Sequence, residues 1–234
     1  MKKISIFSLF LLLVAGFAQA QLLQNYEIRQ TMEFYNSNKI IGGAWKNVLT
    51  EDQIKGSPYL SKEFSEGTIY TKQRIQYDSI LLRYNIYHDE LQFKNPKGEI
   101  MSIGTPEVIE KAVFDKNELV YLPYNAGGKT KNGFFLLIEQ GKTWFLVKPQ
   151  VGFQEATEPA GYKDAEPAKF INKADDFYIR SGNEVAVLIN SKKDLIAAFP
   201  DNHDKIESYI SKNKIKTNKK EGLAEVVRYY NSME

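Results

Sequence analysis

Two histidines, His88 and His203, and no cysteine are the sparse inventory from which most metal or nucleophilic chemistry would have to be built. A zinc centre with three protein ligands would need both histidines plus a carboxylate, or carboxylates alone, and neither HxH nor HxxxH spacing occurs. His88 stands beside Asp89-Glu90, as a general base oriented by a carboxylate would. A polar turn between two strands accounts for the same residues at less cost. His203, between Asp201 and Asp204, falls in the first turn of a helix and is expected at the surface.

Two Gly-Lys-Thr triplets, Gly128-Lys129-Thr130 and Gly141-Lys142-Thr143, resemble the end of a phosphate-binding loop. That loop needs a glycine five residues earlier, where Pro123 and Leu136 stand, so both fail. Gly127-Gly128 could form a backbone nest for an anion, but a hairpin loop explains the pair more simply. No Gly-x-Ser-x-Gly elbow occurs, which removes support for an α/β-hydrolase. With 29 acidic residues, paired carboxylates for glycoside cleavage remain open, and no particular pair can be selected. No catalytic residue, metal ligand or cofactor is therefore assigned. The aromatic excess is more suggestive: 14 Tyr, 14 Phe and 2 Trp could bind sugars or apolar ligands by their faces, although sheets also select aromatics for packing.

Lys2-Lys3, the apolar run Ile4 to Ala15 and the small-x-small triplet Ala18-Gln19-Ala20 have the layout of a secretory signal peptide, with cleavage expected between Ala20 and Gln21. After the leader no stretch of about 18 apolar residues remains to span a membrane. The absence of cysteine leaves no lipidation site and no disulfide framework, so packing alone must hold the exported chain. Removing Lys2 and Lys3 leaves 29 basic against 29 acidic residues, a balance unlike that of nucleic-acid or anionic-lipid binders. The lysines from Lys212 to Lys220 are expected to be a solvated connection between helices.

The elements that must position any site read as strands first. Residues 21–58 give no clear element. Beyond Gly67, Thr68 to Thr71 and Ile75 to Tyr77 are β-rich, and Leu82 to Tyr87 alternates as a half-buried strand with Leu82, Tyr84 and Ile86 on one face. A turn at His88-Asp89-Glu90 precedes Leu91 and Phe93, and Asn95-Pro96-Lys97-Gly98 is another turn. Glu118 to Tyr124 is a strand that Pro123 should force to an edge or an end. A nine-residue loop from Asn125 to Gly133 should lead to Phe134–Ile138, apolar on both faces and so central. Thr143–Val147 follows, then a proline-interrupted loop or linker at 155–168, then a hairpin through Ser181-Gly182-Asn183. At Ser191 the period becomes helical. Ser191 with Asp194 forms a capping box, Pro200 stops the first helix, Asp201 can cap a second, and Asn218 with Glu221 opens a third carrying Leu223, Val226, Val227 and Tyr230 on one stripe.

The expected fold is α+β: a signal peptide at 1–20, an antiparallel β-rich body at 21–190 and about three helices at 191–234 packed on it. Three strings, Lys55-Gly56-Ser57-Pro58-Tyr59-Leu60, Leu82 to Tyr87 with Asp89-Glu90, and Tyr229-Tyr230-Asn231-Ser232, resemble a group of exported proteins from Bacteroidota, from about residue 55 to the C-terminus. The resemblance implies a bacterial envelope setting, periplasmic or extracellular, and transfers no active site. The leading functional expectation is an exported, non-catalytic envelope protein that binds a partner or an apolar ligand. The alternatives are a glycan or peptide hydrolase using paired carboxylates and a carrier for lipid or lipoprotein.

Overall fold

The computed structural model describes residues 54–157 and 166–233, all within the unit Thr50–Glu234. The cleavage residues Ala20 and Gln21, the ambiguous segment up to residue 53 and residues 158–165 of the proline-interrupted stretch lie outside the described residues.

Ten strands build one antiparallel sheet. They are β1 (Ser65–Thr71), β2 (Gln76–Asn85), β3 (Glu90–Lys94), β4 (Ile100–Ser102), β5 (Ile109–Phe114), β6 (Asn117–Ala126), β7 (Lys129–Glu139), β8 (Thr143–Lys148), β11 (Asp176–Ser181) and β12 (Val187–Leu188). Between β8 and β11, β9 (Val151–Gln154) and β10 (Lys169–Asn172) form a separate hairpin. The sheet order is β12-β11-β8-β7-β6-β5-β1-β2-β3-β4. The chain thus meanders outward from β1 to β4, returns through a 3-10 turn at Pro106–Val108, and meanders the other way from β5. Ala186, just before β12, donates its N–H to Pro123 O (3.0 Å) and accepts from Asn125 N–H (2.9 Å), so the sheet curls until its last strand reaches β6.

This curl explains how Pro123 is tolerated inside a ten-residue strand. β5 pairs with β6 only as far as Leu119, so at Pro123 the lane beside β6 no longer asks for a ladder donor. The strand therefore continues, and β6 and β7 pair from Leu119↔Leu136 to Ala126↔Lys129. The nine-residue loop expected there is a two-residue turn, Gly127-Gly128, with φ of 58° and 77°. Two consecutive positive φ values match the right-handed twist of a hairpin and suit glycine. Lys129 to Asn132, read as loop because they are polar, are exposed strand residues.

Phe134 to Ile138 is central, as expected. Phe134 and Leu136 face one cluster, with Leu82, Tyr84, Leu119, Phe145 and the helices; Phe135 faces another, with Val120, Leu122, Leu146 and Tyr178. The half-buried reading of Leu82 to Tyr87 needs correction, because Leu82, Arg83, Tyr84 and Asn85 are all buried. The cover comes from a segment distant in sequence, which the period of β2 cannot reveal. Segment 58–60 continues the lane of β1, with Leu60 N–H donating to Tyr84 O (3.0 Å) and Ile86 N–H to Pro58 O (2.8 Å).

The helices are α1 (Lys192–Ala197), α2 (His203–Lys212) and α3 (Lys220–Asn231). Ser191 Oγ accepts from Asp194 N–H (3.1 Å), as the capping pattern requires, while Asp194 Oδ2 accepts from Asn190 N–H (3.2 Å). Asp201 does not cap α2. Left-handed Asn202 (φ 57°) is the N-cap, and Asp201 instead accepts from Asn202 Nδ2 (2.7 Å) and Tyr230 OH (3.0 Å). Likewise α3 begins after Lys219, with no side-chain cap from Asn218. Leu223, Val226, Val227 and Tyr230 are buried in one stripe against the sheet, and Asn231 fixes the helix by bonding both Thr143 N–H (2.9 Å) and Thr143 O (2.8 Å). The connection at 213–219 is largely solvated. Among the described residues no helix is long and apolar enough to cross a membrane.

Candidate functional site

The turn from β2 to β3 sends consecutive side chains in opposite directions. Asn85 Oδ1 accepts from His88 N–H (3.1 Å), and Asp89 takes a left-handed conformation (φ 56°) with its N–H on Ile86 O (3.3 Å). A short polar side chain is among the few that tolerate that backbone. The result is that Asp89 points inward and Tyr87 outward.

Inward, the Asp89 carboxylate accepts three hydrogen bonds. Oδ1 accepts from Tyr84 OH (2.7 Å) and Phe134 N–H (3.2 Å), and Oδ2 accepts from Lys148 Nζ (2.8 Å). Lys148 also donates to Phe134 O (3.1 Å), and its ammonium lies 4.9 Å from the Phe135 ring centre and 5.2 Å from that of Tyr124. Burial pushes Lys148 below the ordinary lysine value, with Asp89 working against that, and burial followed by Asp89 pushes Tyr84 well above the ordinary phenol. Gly133 makes room for the pair: a Cβ there would sit 2.6 Å from Asp89 Oδ2 and 2.8 Å from Lys148 Nζ. The three bonds to the Asp89 carboxylate and the two from the Lys148 ammonium tie the turn to β7 and β8.

Outward, Tyr87 joins Phe153 of β9 and Phe170 of β10, which face each other across the hairpin. Ring centres lie 5.4 Å apart for Tyr87–Phe170, 5.4 Å for Phe153–Phe170 and 6.3 Å for Tyr87–Phe153. Tyr87 and Phe153 are 43% and 38% exposed, unusual for rings that could have been packed away. Phe170 also borders an open groove of about 410 Å³ lined by Gly56, Ser57, Tyr59, Leu60, Lys62, Phe170 and Asn172. Gly56 is required here, since it has φ of 84° and a Cβ would meet Phe170 O at 2.4 Å.

Under Tyr59 lies a buried cation. The Arg83 guanidinium carbon is 3.5 Å from the Tyr59 ring centre and 4.4 Å from that of Phe64. It donates to Lys62 O (3.2 Å) and Gln92 Oε1 (2.9 Å), while its buried Nε has no hydrogen-bond partner among the described residues. No carboxylate among the described residues ion-pairs with it.

The residues singled out from sequence fall elsewhere. The His88 ring rests against Tyr87 (5.0 Å), while Asp89 turns to Lys148 and Glu90 accepts from Ser102 Oγ (2.7 Å), so neither carboxylate orients the imidazole. His203 is exposed but not idle, with Nε2 2.8 Å from Phe199 O at the end of α1. Gly127-Gly128 is the hairpin turn, and Gly141 to Thr143 is where Asn231 docks. Among acids, burial raises Asp175 above the usual carboxylate range, with Lys220 opposing. Its neighbour Asp176 accepts from Gln150 Nε2 (2.9 Å). Among the described residues no group of three His, Asp or Glu side chains is arranged to hold a metal ion. Lys148, Phe153 and Phe170 fall in no motif read from the sequence, and Arg83 only within the Leu82 to Tyr87 string; the aromatic excess is the signal that points to the two phenylalanines. Comparison with protein-family models, curated proteins and solved structures finds no match to the chain.

Proposed function

We propose that the chain is an exported, non-catalytic protein of the bacterial envelope that binds a partner through the surface around Tyr87, Phe153 and Phe170. The observation that carries this reading is the exposed aromatic cluster: two elements distant in sequence hold three rings together in water, and the Asp89–Lys148 pair fixes the turn that presents one of them. Aromatic rings held rigidly at a surface are the commonest anchors of protein contacts, because they bring large area at little rotamer cost. The bonds that Asp89 and Lys148 make to each other, to Tyr84 and to the Phe134 backbone support a positioning role for these groups. The leader-like start of the sequence supports export.

A photo-reactive phenylalanine analogue at Phe153, in the full chain expressed in its native envelope, tests the contact. Adducts with a defined protein at this position, absent with the same analogue at exposed Lys193, are expected. Equal, diffuse labelling at both positions would refute the surface. Intact mass of the same material tests export, with a main species beginning at Gln21 expected and a main species retaining Met1 refuting it.

A further inference from the structure

The hairpin of β9 and β10 has an edge that the fold uses only in part. Lys55 lies beside β10 in a parallel bridge, donating its N–H to Ala168 O (3.1 Å) and accepting from Phe170 N–H (2.8 Å). At Gly56 the chain turns away towards β2, where Pro58 O receives the N–H groups of Ile86 and Tyr87. Successive residues of an antiparallel strand present their polar backbone to opposite sides. Phe170 N–H points away from β9, and Lys173 N–H points towards it, on Gln150 O (2.9 Å). Asn172 therefore presents its N–H and C=O to the groove, and neither has a hydrogen-bond partner among the described residues.

Charge adds a second, independent observation. Lys62 is the one charged residue lining the groove. Beneath Tyr59, the buried Arg83 guanidinium carries a positive charge that no carboxylate among the described residues neutralises. A cation left unpaired in a low-dielectric setting makes the space next to it favourable for negative charge.

We infer that the groove receives an extended, acidic segment of the partner, which pairs with the open edge of β10 at Asn172, sets a carboxylate near Lys62 and lays apolar side chains on Phe170 and its neighbours. Strand addition of this kind draws affinity from main-chain hydrogen bonds and specificity from alternate side chains. The inference rests on the binding reading above and names the chemistry of the partner. With one residue of open edge, the contact is weak and salt-sensitive.

The test uses the full chain and a fluorescent ten-residue peptide of alternating Glu and Val, with the alternating Lys and Val peptide as its counterpart, followed by fluorescence polarisation. Binding of the acidic peptide alone is expected, weakening as salt is raised. Asn172→Pro removes an N–H that the fold does not use and is compatible with an edge, so it should weaken binding about five- to tenfold at an unchanged denaturation midpoint. Lys62→Glu, at an exposed position, should weaken it at least tenfold and so serves if the proline variant is unstable. Equal binding of both peptides, no binding of either, or unchanged affinity in both variants would overturn the inference. A Phe153 adduct that persists in Asn172→Pro and Lys62→Glu would sink the strand-addition inference and leave the aromatic surface standing; loss of both the adduct and the peptide binding in wild type would sink the two together.

Discussion

Replacing Asp89 by Asn keeps the shape of the turn and the acceptor for Tyr84 OH and Phe134 N–H, but sets an amide N–H₂ against the Lys148 ammonium. At an effective dielectric near 20, the gross attraction across 2.8 Å is about 6 kcal/mol. Most of it is returned as desolvation, so the pair as a whole contributes far less. Its removal from one side is another matter, because Lys148 is then a cation with a side chain only 10% exposed and no counter-ion. Breaking a buried pair costs about 3–5 kcal/mol. The 29% exposure of the Asp89 side chain admits water and places Asp89→Asn near the lower end, about 3 kcal/mol. Lys148→Met matches length and volume, leaving an unpaired Phe134 carbonyl and a partly hydrated carboxylate, for about 1–2 kcal/mol. The double variant holds no buried charge and should also lose only about 1–2 kcal/mol, so the two changes couple by roughly 2–4 kcal/mol. Urea denaturation at neutral pH, with a common m-value across the four proteins, measures each loss. If the double variant equals the sum of the singles within about 0.5 kcal/mol, the two groups do not act as a pair and the turn is held by something else.

Two further outcomes follow from the same packing. Val226→Asp puts a carboxylate into a fully buried contact between α3 and the sheet and should cost about 2–4 kcal/mol, while Lys219→Asp, at an exposed position before the helix, should cost no more than about 0.5 kcal/mol; equal urea midpoints would show the helix to be undocked. Burial, and for Tyr230 the Asp201 bond, push Tyr178 and Tyr230 up to about 12 from an ordinary 10.0. A raised folded value favours the neutral phenol, so the stability these groups add is whole below pH 10 and is lost as pH climbs towards 12. Lys148, lowered from 10.5, works in the opposite direction as it deprotonates. The melting temperature should therefore fall across that window, and Tyr178→Phe with Tyr230→Phe should flatten the fall; an unchanged profile in the double variant would refute it.

Strand identity was legible wherever one residue's neighbours decided its burial. Phe134 to Ile138 is apolar on both faces and is buried on both, and the stripe from Leu223 to Tyr230 is buried as its spacing requires. The misreadings have a common cause in contacts made far along the chain. Pro123 looks like a strand terminator until Ala186 arrives to take the lane beside it. Polar Lys129 to Asn132 look like a loop because β7 leaves that end in solvent while still pairing with β6. Arg83 and Asn85 look like the wet face of β2, since nothing in their spacing says that Tyr59 and Phe64 fold over them. Asp201 has the composition of a cap, but Asn202 can adopt the left-handed backbone and so takes the position, freeing Asp201 for Tyr230.

The three strings singled out in the sequence each acquire a physical role here. Gly56 to Tyr59 bring the chain over Phe170 O, supply Pro58 O to the turn and lay a ring on Arg83. Arg83 to Asp89 build the turn and its buried anchor, while Tyr229, Tyr230 and Asn231 stack on Tyr209 (3.7 Å), bond Asp201 and clamp Thr143. The last string therefore holds a helix, whereas the first two meet at one place, where Pro58 O receives the N–H groups of Ile86 and Tyr87. Replacing a buried ion pair by well-packed apolar residues of similar volume is often neutral or stabilising. That the turn presenting Tyr87 is held instead by a carboxylate paired with a buried lysine, with a second buried cation on β2 beneath Tyr59, is the arrangement expected when the geometry of a surface matters more than the last few kcal/mol of stability.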